Sequence, residues 1–263
     1  MIAQRLAELH HEVTGDGPPV VLLHEGIADS RMWAPQWESF PRSHRTVRYD
    51  MRGFGRSAIG PGSFSHAGDL VGLLEELGLE RTALVGVSLG GRVALEVAVS
   101  RPELVSALVL VGSGLPGHEW SKETQAGWAE EEAALDRGDL EAAVEMNLRM
   151  WIDGPQRTPD QVDPEVRRSI GEMQRRAFEL QLPVGDAAVE EPLVPDLAER
   201  LGEIDAPTLI VVGELDRPEM HEIADRLGAS IPQAKRATIM DAAHAPSLEQ
   251  PDEFDRLVLD FLS

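Results

Sequence analysis

The sequence predicts an α/β fold in which a mostly parallel central sheet carries helices on both faces. Short, continuous apolar runs recur at 20–23, 82–87, 106–111 and 207–212, and such runs are typical of parallel strands that are buried on both faces. Helical patterns lie between these runs, and strands that alternate with helices indicate crossover units. With 263 residues, of which 42% are hydrophobic and 27% charged, the chain is long enough and apolar enough for one large domain.

The helices of this core are predicted from apolar residues at helical spacing. The stretch 69–78 places four leucines on one face, and Gly78 follows as a residue suited to end a helix. The C-terminal stretch also reads as an amphipathic helix. Its apolar face is formed by Phe254, Leu257, Val258 and Phe261.

The segment from 115 to 205 interrupts the alternation of strands and helices. It contains helical patterns but no buried-strand run, and Asp163–Pro164 is suited to be the cap and first position of one of its helices. More than half of the net negative charge of the chain lies in this segment. We therefore expect a core formed by residues 1–114 and 206–263, with residues 115–205 inserted as a helical cap.

A sharp turn between a predicted strand and helix contains the motif Gly86-Val87-Ser88-Leu89-Gly90. The pattern G-x-S-x-G in this setting is typical of a nucleophile elbow, in which a strained turn projects the serine hydroxyl clear of the sheet. The backbone N–H of Leu89 would be free at the helix N-terminus, where it could stabilise an oxyanion. The alternative is that Ser88 only caps the helix.

A nucleophilic serine needs a base and an acid that orients it, and both can be found downstream. Asp216 follows the predicted strand at 207–212, within "GELD", and Glu214 is the alternative acid. His244 lies between a short apolar strand and the terminal helix. The order Ser, Asp, His is that of the α/β-hydrolases, and each residue follows a strand at the edge where open α/β sheets carry their sites. The other histidines are expected to be structural: His10, His11, His24, His44, His66, His118 and His221.

Five stretches together resemble the α/β-hydrolase superfamily: "LLHEGIADSRMW", "YDMRGFGRS", "GVSLGG", "GELD" and "HAPSLEQP". The resemblance is to the compact, capped branch that includes esterases, enol-lactonases, ring-cleavage-product hydrolases and cofactor-free haloperoxidases. It spans nearly the whole chain except the predicted cap. It implies a catalytic triad of Ser88, Asp216 and His244, with no cofactor and no metal.

The predicted oxyanion loop departs from the family pattern at one position. Glu25 stands directly after His24, where the family usually has glycine. We expect Gly26 to supply the second oxyanion N–H beside Leu89, with Ile27 as the alternative donor. A carboxylate facing the oxyanion would oppose charge development, so Glu25 is expected to turn away. A Glu25 that faced the pocket would repel anionic substrates or favour a cationic one.

The substrate pocket is predicted less directly. Trp120, Trp128 and Trp151 lie in the predicted cap and could line an apolar pocket over Ser88, although tryptophans at helical spacing are more often core residues. The acidic cap disfavours a polyanionic substrate. The favoured substrate is therefore a small, largely uncharged ester or lactone that reacts through an acyl-enzyme.

Three other functions are compatible with the same residues. A carbon–carbon bond hydrolase could act on a vinylogous diketone, and a cofactor-free haloperoxidase or perhydrolase could form a peracid. The third is a non-catalytic ligand-binding protein built on a hydrolase scaffold.

Composition excludes several classes of partner. A net charge of −22 would repel phosphate-rich molecules, so nucleic-acid binding is not expected. The sequence has no cysteine and no run of 18 or more apolar residues, which leads us to expect a cytoplasmic protein with no membrane association. A homodimer is compatible with the sequence, which does not determine the oligomeric state.

Overall fold

A seven-stranded sheet forms the centre of the molecule in the computed structural model, which describes residues 8–263. The strands are β1 (His11–Thr14), β2 (Pro19–Leu23), β3 (Arg45–Tyr49), β4 (Gly62–Phe64), β5 (Thr82–Val87), β6 (Val105–Val111), β7 (Ala188–Glu190), β8 (Thr208–Gly213) and β9 (Ala234–Ile239). The central sheet has the order β1-β3-β2-β5-β6-β8-β9. Its neighbouring strands are parallel except that β1 is antiparallel to β3.

The α-helices are α1 (Ala34–Ser39), α2 (His66–Glu76), α3 (Leu89–Ser100), α4 (Lys122–Asp136), α5 (Leu140–Asn147), α6 (Pro164–Gln181), α7 (Leu197–Arg200), α8 (Pro218–Ser230), α9 (Pro246–Glu249) and α10 (Pro251–Leu262). A π-helical turn covers Leu148–Asp153. Short 3₁₀ turns cover Ser30–Trp33, Phe40–Arg42, Pro102–Leu104, Pro159–Gln161, Gly185–Ala187 and Leu201–Glu203.

The sheet is buried on both faces because alternate residues of each central strand enter different hydrophobic clusters. Leu84 of β5 packs in the cluster that contains residues of α2, α3 and α8, whereas Val85 and Val87 pack in the cluster that contains Phe254 of α10. The predicted fold class is thus confirmed. The four apolar runs correspond to β2, β5, β6 and β8, with bounds within one residue of those predicted.

The ends of two predicted helices follow from local side chains. Helix α2 begins earlier than the leucine pattern indicates because Ser65 accepts a hydrogen bond from the Gly68 N–H at 3.2 Å and caps it. Gly78 follows the helix with a φ of 63°, which fits its predicted role at the end. Helix α6 begins as predicted, with Asp163 accepting from the Glu165 N–H at 2.7 Å.

The chain between β6 and β8 contains the helices α4 to α7, as its periodicity predicts, and one additional short strand. This strand, β7, has three residues and pairs in parallel with β4 to form a second, two-stranded sheet. Its residues are exposed or half-buried, so it has no continuous apolar run by which the sequence could reveal it. Within residues 8–263, no helix combines the length and apolarity needed to cross a membrane.

Candidate active site

Ser88 lies in a strained turn between β5 and α3. Its φ of 51° and ψ of −109° are uncommon for a residue with a side chain, and its N–H donates to the Val111 carbonyl at 2.9 Å. The flanking glycines are needed because the backbones approach closely. A Cβ at Gly86 would overlap the backbone of Gly90, and one at Gly90 would overlap the carbonyl of Leu23. This is the local geometry of a nucleophile elbow.

The side chain of Ser88 does not cap α3. Although Ser88 occupies the N-cap position, its hydroxyl accepts no hydrogen bond from the first turn of the helix. Ser88 instead lines a cavity that it shares with His244. The interpretation of Ser88 as a simple helix cap therefore does not fit its local geometry.

Asp216 and His244 form a buried hydrogen-bonded pair. Asp216 follows β8, and its Oδ2 accepts from His244 Nδ1 at 2.9 Å. The two residues are 3% and 2% exposed. Because an ionised carboxylate only accepts hydrogen bonds, Nδ1 carries the proton and Nε2 of the neutral ring is left as an acceptor. A histidine in this state can take a proton from a hydroxyl group.

The loop that carries His244 is held by a buried ion pair. Glu249 accepts a hydrogen bond from the Ala243 N–H at 2.8 Å through Oε1, while its Oε2 lies 2.7 Å from Arg157 Nη1. Arg157 also donates to the carbonyls of Ile152 and Asp153, at the end of the π-helical turn. This contact ties the loop at His244 to the segment between β6 and β8.

The two other residues that the sequence places near this chemistry have structural roles. Glu214, the alternative acid, accepts a hydrogen bond from the Asp241 N–H at 3.3 Å. His24 donates from Nδ1 to the Glu25 carbonyl at 2.8 Å and accepts from the Met51 N–H at Nε2 at 2.9 Å. Burial lowers the pKa of His24, which is consistent with this neutral tautomer. His24 thus fixes the backbone of the loop that follows β2.

A cavity of about 270 Å³ lies over Ser88. It is lined by Glu25, Gly26, Ile27, Ser88, Trp128, Glu131, Asn147, Trp151, Gln174, Phe178, Gln181 and His244. Two of the three predicted pocket tryptophans, Trp128 and Trp151, are among these residues. Trp120 packs behind them, with ring centroids 5.1 Å from Trp128 and 6.2 Å from Trp151. The Trp151 ring also lies 4.7 Å from that of His244.

The residues predicted for the oxyanion hole lie next to each other. A Cβ at Gly26 would be 3.7 Å from the Leu89 Cβ, so the loop after β2 passes beside the first turn of α3. Leu89 is the first residue of that helix, and its N–H is therefore one that has no partner within the helix. Gly26 and Ile27 both line the cavity. The choice between their N–H groups as the second donor stays a prediction.

Glu25 does not turn out of the site, and this expectation was wrong. The residue is fully buried, lines the cavity, and neither carboxyl oxygen has a hydrogen-bond partner among the residues that the structure describes. Burial raises the pKa of Glu25 to about 7, and the nearby charge of His244 opposes that rise. The loop is buried at His24 and only partly buried at Gly26, and both Glu25 and Gly26 line the cavity.

Several polar residues of the cavity were missed by the sequence reasoning. Glu131 lies one helical turn after Trp128 on α4, and Asn147 lies one turn before Trp151. On α6, Gln174 and Gln181 flank Phe178 on the same face. The available signal was a polar side chain at helical spacing from an aromatic one, on a face otherwise interpreted as core.

The charges around His244 favour its protonated form. Burial alone would lower the pKa of His244, but Asp216, Glu25 and Glu249 together raise it above its ordinary value. The arrangement therefore stabilises an imidazolium, the species that forms when histidine takes a proton from a nucleophile. Within residues 8–263, no three or more His, Asp or Glu side chains are grouped so as to hold a metal ion.

A parallel sheet with a serine elbow and a buried Asp–His pair at its strand ends defines a class, the hydrolases of the α/β fold. The chain belongs to the alpha/beta hydrolase fold family, whose model matches residues 18–251.

Individual relatives in this family are similar over nearly the whole chain. A 2-hydroxy-6-oxononadienedioate/2-hydroxy-6-oxononatrienedioate hydrolase of Cupriavidus pinatubonensis is 30% identical, over 97% of this chain and 90% of the relative. A thermophilic esterase from Thermogutta terrifontis has a TM-score of 0.80 and 30% identity, covering 97% of this chain and 92% of the esterase. The enol-lactonase from Burkholderia xenovorans has a TM-score of 0.79 and 25% identity, covering 99% and 98% of the two chains. The chain is therefore a hydrolase of the α/β fold.

Proposed function

We propose that the protein is a serine hydrolase that cleaves a small ester or lactone through Ser88, His244 and Asp216. The observation that carries the proposal is that Ser88, in a strained elbow, shares one cavity with a histidine whose Nδ1 is bonded to a buried carboxylate. Similarity to an esterase and to an enol-lactonase supports the same chemistry.

The reaction follows the roles of a serine triad. The Ser88 Oγ attacks the carbonyl carbon and transfers its proton to His244, while Asp216 orients the ring and stabilises its positive charge. The N–H groups of Leu89 and Gly26 bind the oxyanion. When the tetrahedral intermediate collapses, His244 returns the proton to the leaving alcohol. A water molecule, deprotonated by His244, then hydrolyses the acyl-enzyme and frees Ser88.

The cavity limits the size of the substrate and gives residues 115–205 the role of a cap. Its volume of about 270 Å³ is that of a small molecule. Residues from α4, α5, the π-helical turn and α6 cover the Ser88 side of the core. In this proposal the core supplies the chemistry and the cap selects the substrate.

A carbon–carbon bond hydrolase is the second candidate, and it is favoured by the similarity to the Cupriavidus hydrolase. The name of that relative denotes a dioate, a compound with two carboxylates. The cavity described above contains two carboxyl side chains, Glu25 and Glu131, and of the described residues no lysine or arginine lines it. Because this charge pattern disfavours a dicarboxylate, ester or lactone hydrolysis is the first candidate and carbon–carbon bond hydrolysis the second.

The test is intact-mass analysis after incubation with a fluorophosphonate, together with turnover of p-nitrophenyl acetate. We expect one covalent adduct and acetate hydrolysis for the wild type, and neither for Ser88→Ala. Ser113→Ala is the matched control, because Ser113 is buried, its hydroxyl has no part in the proposed chemistry, and the next residue, Gly114, donates its N–H to the Ser88 carbonyl. Absence of an adduct on the wild type would reject the proposal and favour a ligand-binding protein.

A further inference from the structure

The cavity over Ser88 is rich in hydrogen-bond acceptors and carries negative charge. Glu25 lines it from the loop after β2 and Glu131 from α4, and both have a raised pKa because burial disfavours their charged forms. Among the cavity residues that the structure describes there is no lysine or arginine to compensate them. A carboxylate that entered this space would disfavour their charged forms further, whereas a cation would stabilise those charged forms.

Among the described residues, three buried oxygen atoms of the lining accept no hydrogen bond. Gln174 is 4% exposed, and its Oε1 accepts no hydrogen bond from the part of the chain that the structure describes. An unpaired acceptor in a buried position is unfavourable, so such an atom is suited to a ligand that brings an N–H or O–H group. Both carboxyl oxygens of Glu25 likewise have no hydrogen-bond donor among the described residues.

Two aromatic rings complete the environment. Trp128 and Trp151 line the cavity, and each is held by an edge contact with Trp120. The faces of indole rings attract cations, most strongly where water is excluded. Outside the cavity, the net charge of −22 attracts cations towards the protein and repels anions.

We propose that the substrate is an ester or lactone that carries a positively charged amine, which binds between Glu131, Gln174 and the indole rings. This inference rests on the proposed function, because it concerns the same cavity. Glu131 supplies the countercharge, Gln174 accepts an ammonium N–H, and the buried charge of Glu25 adds to the negative potential without contact. Dicarboxylates are excluded by the same charges.

The test compares three methyl esters that differ only at the far end of a five-methylene chain. Methyl 6-aminohexanoate carries an ammonium group, methyl heptanoate an isosteric methyl group, and monomethyl pimelate a carboxylate. We expect kcat/KM for the ammonium ester to exceed that for the neutral ester at least tenfold, and the carboxylate ester to be at least tenfold poorer than the neutral one.

A substitution at Glu131 tests the assignment of the countercharge. In Glu131→Gln the ratio of kcat/KM for the ammonium ester to that for the neutral ester should fall at least fivefold. Glu132→Gln is the matched control, since it removes the same charge from the next, exposed position of α4 and should leave the ratio unchanged. If Glu131 acted only through the overall field of the protein, the two substitutions would lower the kcat/KM ratio equally. That result would overturn the assignment.

The outcomes separate this inference from the proposed function. Equal or slower turnover of the ammonium ester relative to methyl heptanoate overturns the cationic substrate class while leaving a serine hydrolase. If none of the three methyl esters is hydrolysed while p-nitrophenyl acetate still is, the cationic substrate class is also overturned. If p-nitrophenyl acetate is not hydrolysed either and no fluorophosphonate adduct forms, the proposed function itself is rejected.

Discussion

His244 donates a 2.9 Å hydrogen bond from Nδ1 to Oδ2 of Asp216, and both side chains are almost completely buried. The bond selects the tautomer of His244 that has a free acceptor at Nε2. In the proposed mechanism the carboxylate is also the countercharge for the imidazolium, so it would act both before and after the proton transfer from Ser88.

Asp216→Asn should therefore abolish most of the activity while leaving the fold intact. An amide at this position can donate to the ring and stabilise the wrong tautomer, so we expect kcat for p-nitrophenyl acetate to fall about 10,000-fold. Glu214→Gln is the matched control, since Glu214 follows the same strand and bonds Asp241 instead of His244. A larger loss of activity in Glu214→Gln than in Asp216→Asn would show that Asp216 is not the acid that orients His244.

The pH dependence of kcat/KM should report the charge of Glu25. Activity towards a neutral ester should rise with pH as His244 loses its proton, with an apparent pKa above the ordinary value of 6.5 because Asp216, Glu25 and Glu249 face the ring. In Glu25→Gln one of these negative charges is absent, so the apparent pKa of the acid limb should shift downward. Glu38→Gln removes an exposed carboxylate and should leave the profile unchanged. An upward or absent shift in Glu25→Gln would contradict the electrostatic contact.

Glu25 should also make the stability of the protein depend on pH. Its pKa is raised from 4.5 to about 7, so the folded state binds this proton more tightly than the unfolded state does. The associated stability is present below pH 4.5 and is lost as the pH rises through 7. At about 1.4 kcal/mol per pKa unit, the loss approaches about 3 kcal/mol at pH 8.

Urea denaturation of wild type and Glu25→Gln at pH 5 and pH 8 measures this effect. We expect the free energy of unfolding of the variant, relative to wild type, to increase by about 2 to 3 kcal/mol between the two pH values, because the glutamine has no charge to bury. A difference that stays constant with pH would show that Glu25 is not the group that titrates. Glu38→Gln again provides the control for loss of a surface charge.

The parts of the site that sequence reasoning could predict are those that depend on local backbone geometry. Gly86 and Gly90 are required by close backbone approaches on either side of Ser88, so they leave a pattern in the sequence itself. The strand that precedes Asp216 ends at the same edge of the sheet, because parallel strands share their carboxyl ends. The central strands were predictable for a related reason, since burial on both faces requires a continuous apolar run.

The polar residues that line the cavity could not be predicted in this way. Glu131, Asn147 and Gln174 come from three different helices, and they meet only because the helices between β6 and β8 pack over the core. Nothing local to Gln174 distinguishes it from a polar residue at a helix surface. The place of Glu25 in the cavity was hidden for the same reason, because the residues that line the cavity with it, such as Trp151 and His244, are distant from it in the chain.

The buried ion pair between Arg157 and Glu249 should stabilise the contact between the chain that joins β6 to β8 and the loop of His244. The two side chains are 11% and 5% exposed, and Glu249 also accepts the Ala243 N–H next to His244. Arg157→Met leaves the Glu249 carboxylate buried without a countercharge, which should lower the free energy of unfolding by about 3 kcal/mol. Because the loop would then relax, kcat/KM should fall with it.

The double variant Arg157→Met/Glu249→Gln separates the loss of the ion pair from the cost of leaving an unpaired charge buried. Because the double variant has no buried carboxylate without a countercharge, it should recover part of the stability that the single variant loses. The glutamine can still accept the Ala243 N–H. Arg149→Met is the matched control, since its 62% exposed side chain pairs with Glu145 at the surface and should cost less than about 1 kcal/mol. If thermal and urea denaturation show equal losses for Arg149→Met and Arg157→Met, the buried pair contributes no more than a surface pair. The contacts of His244 with Asp216 and Trp151 would then be sufficient to hold its position.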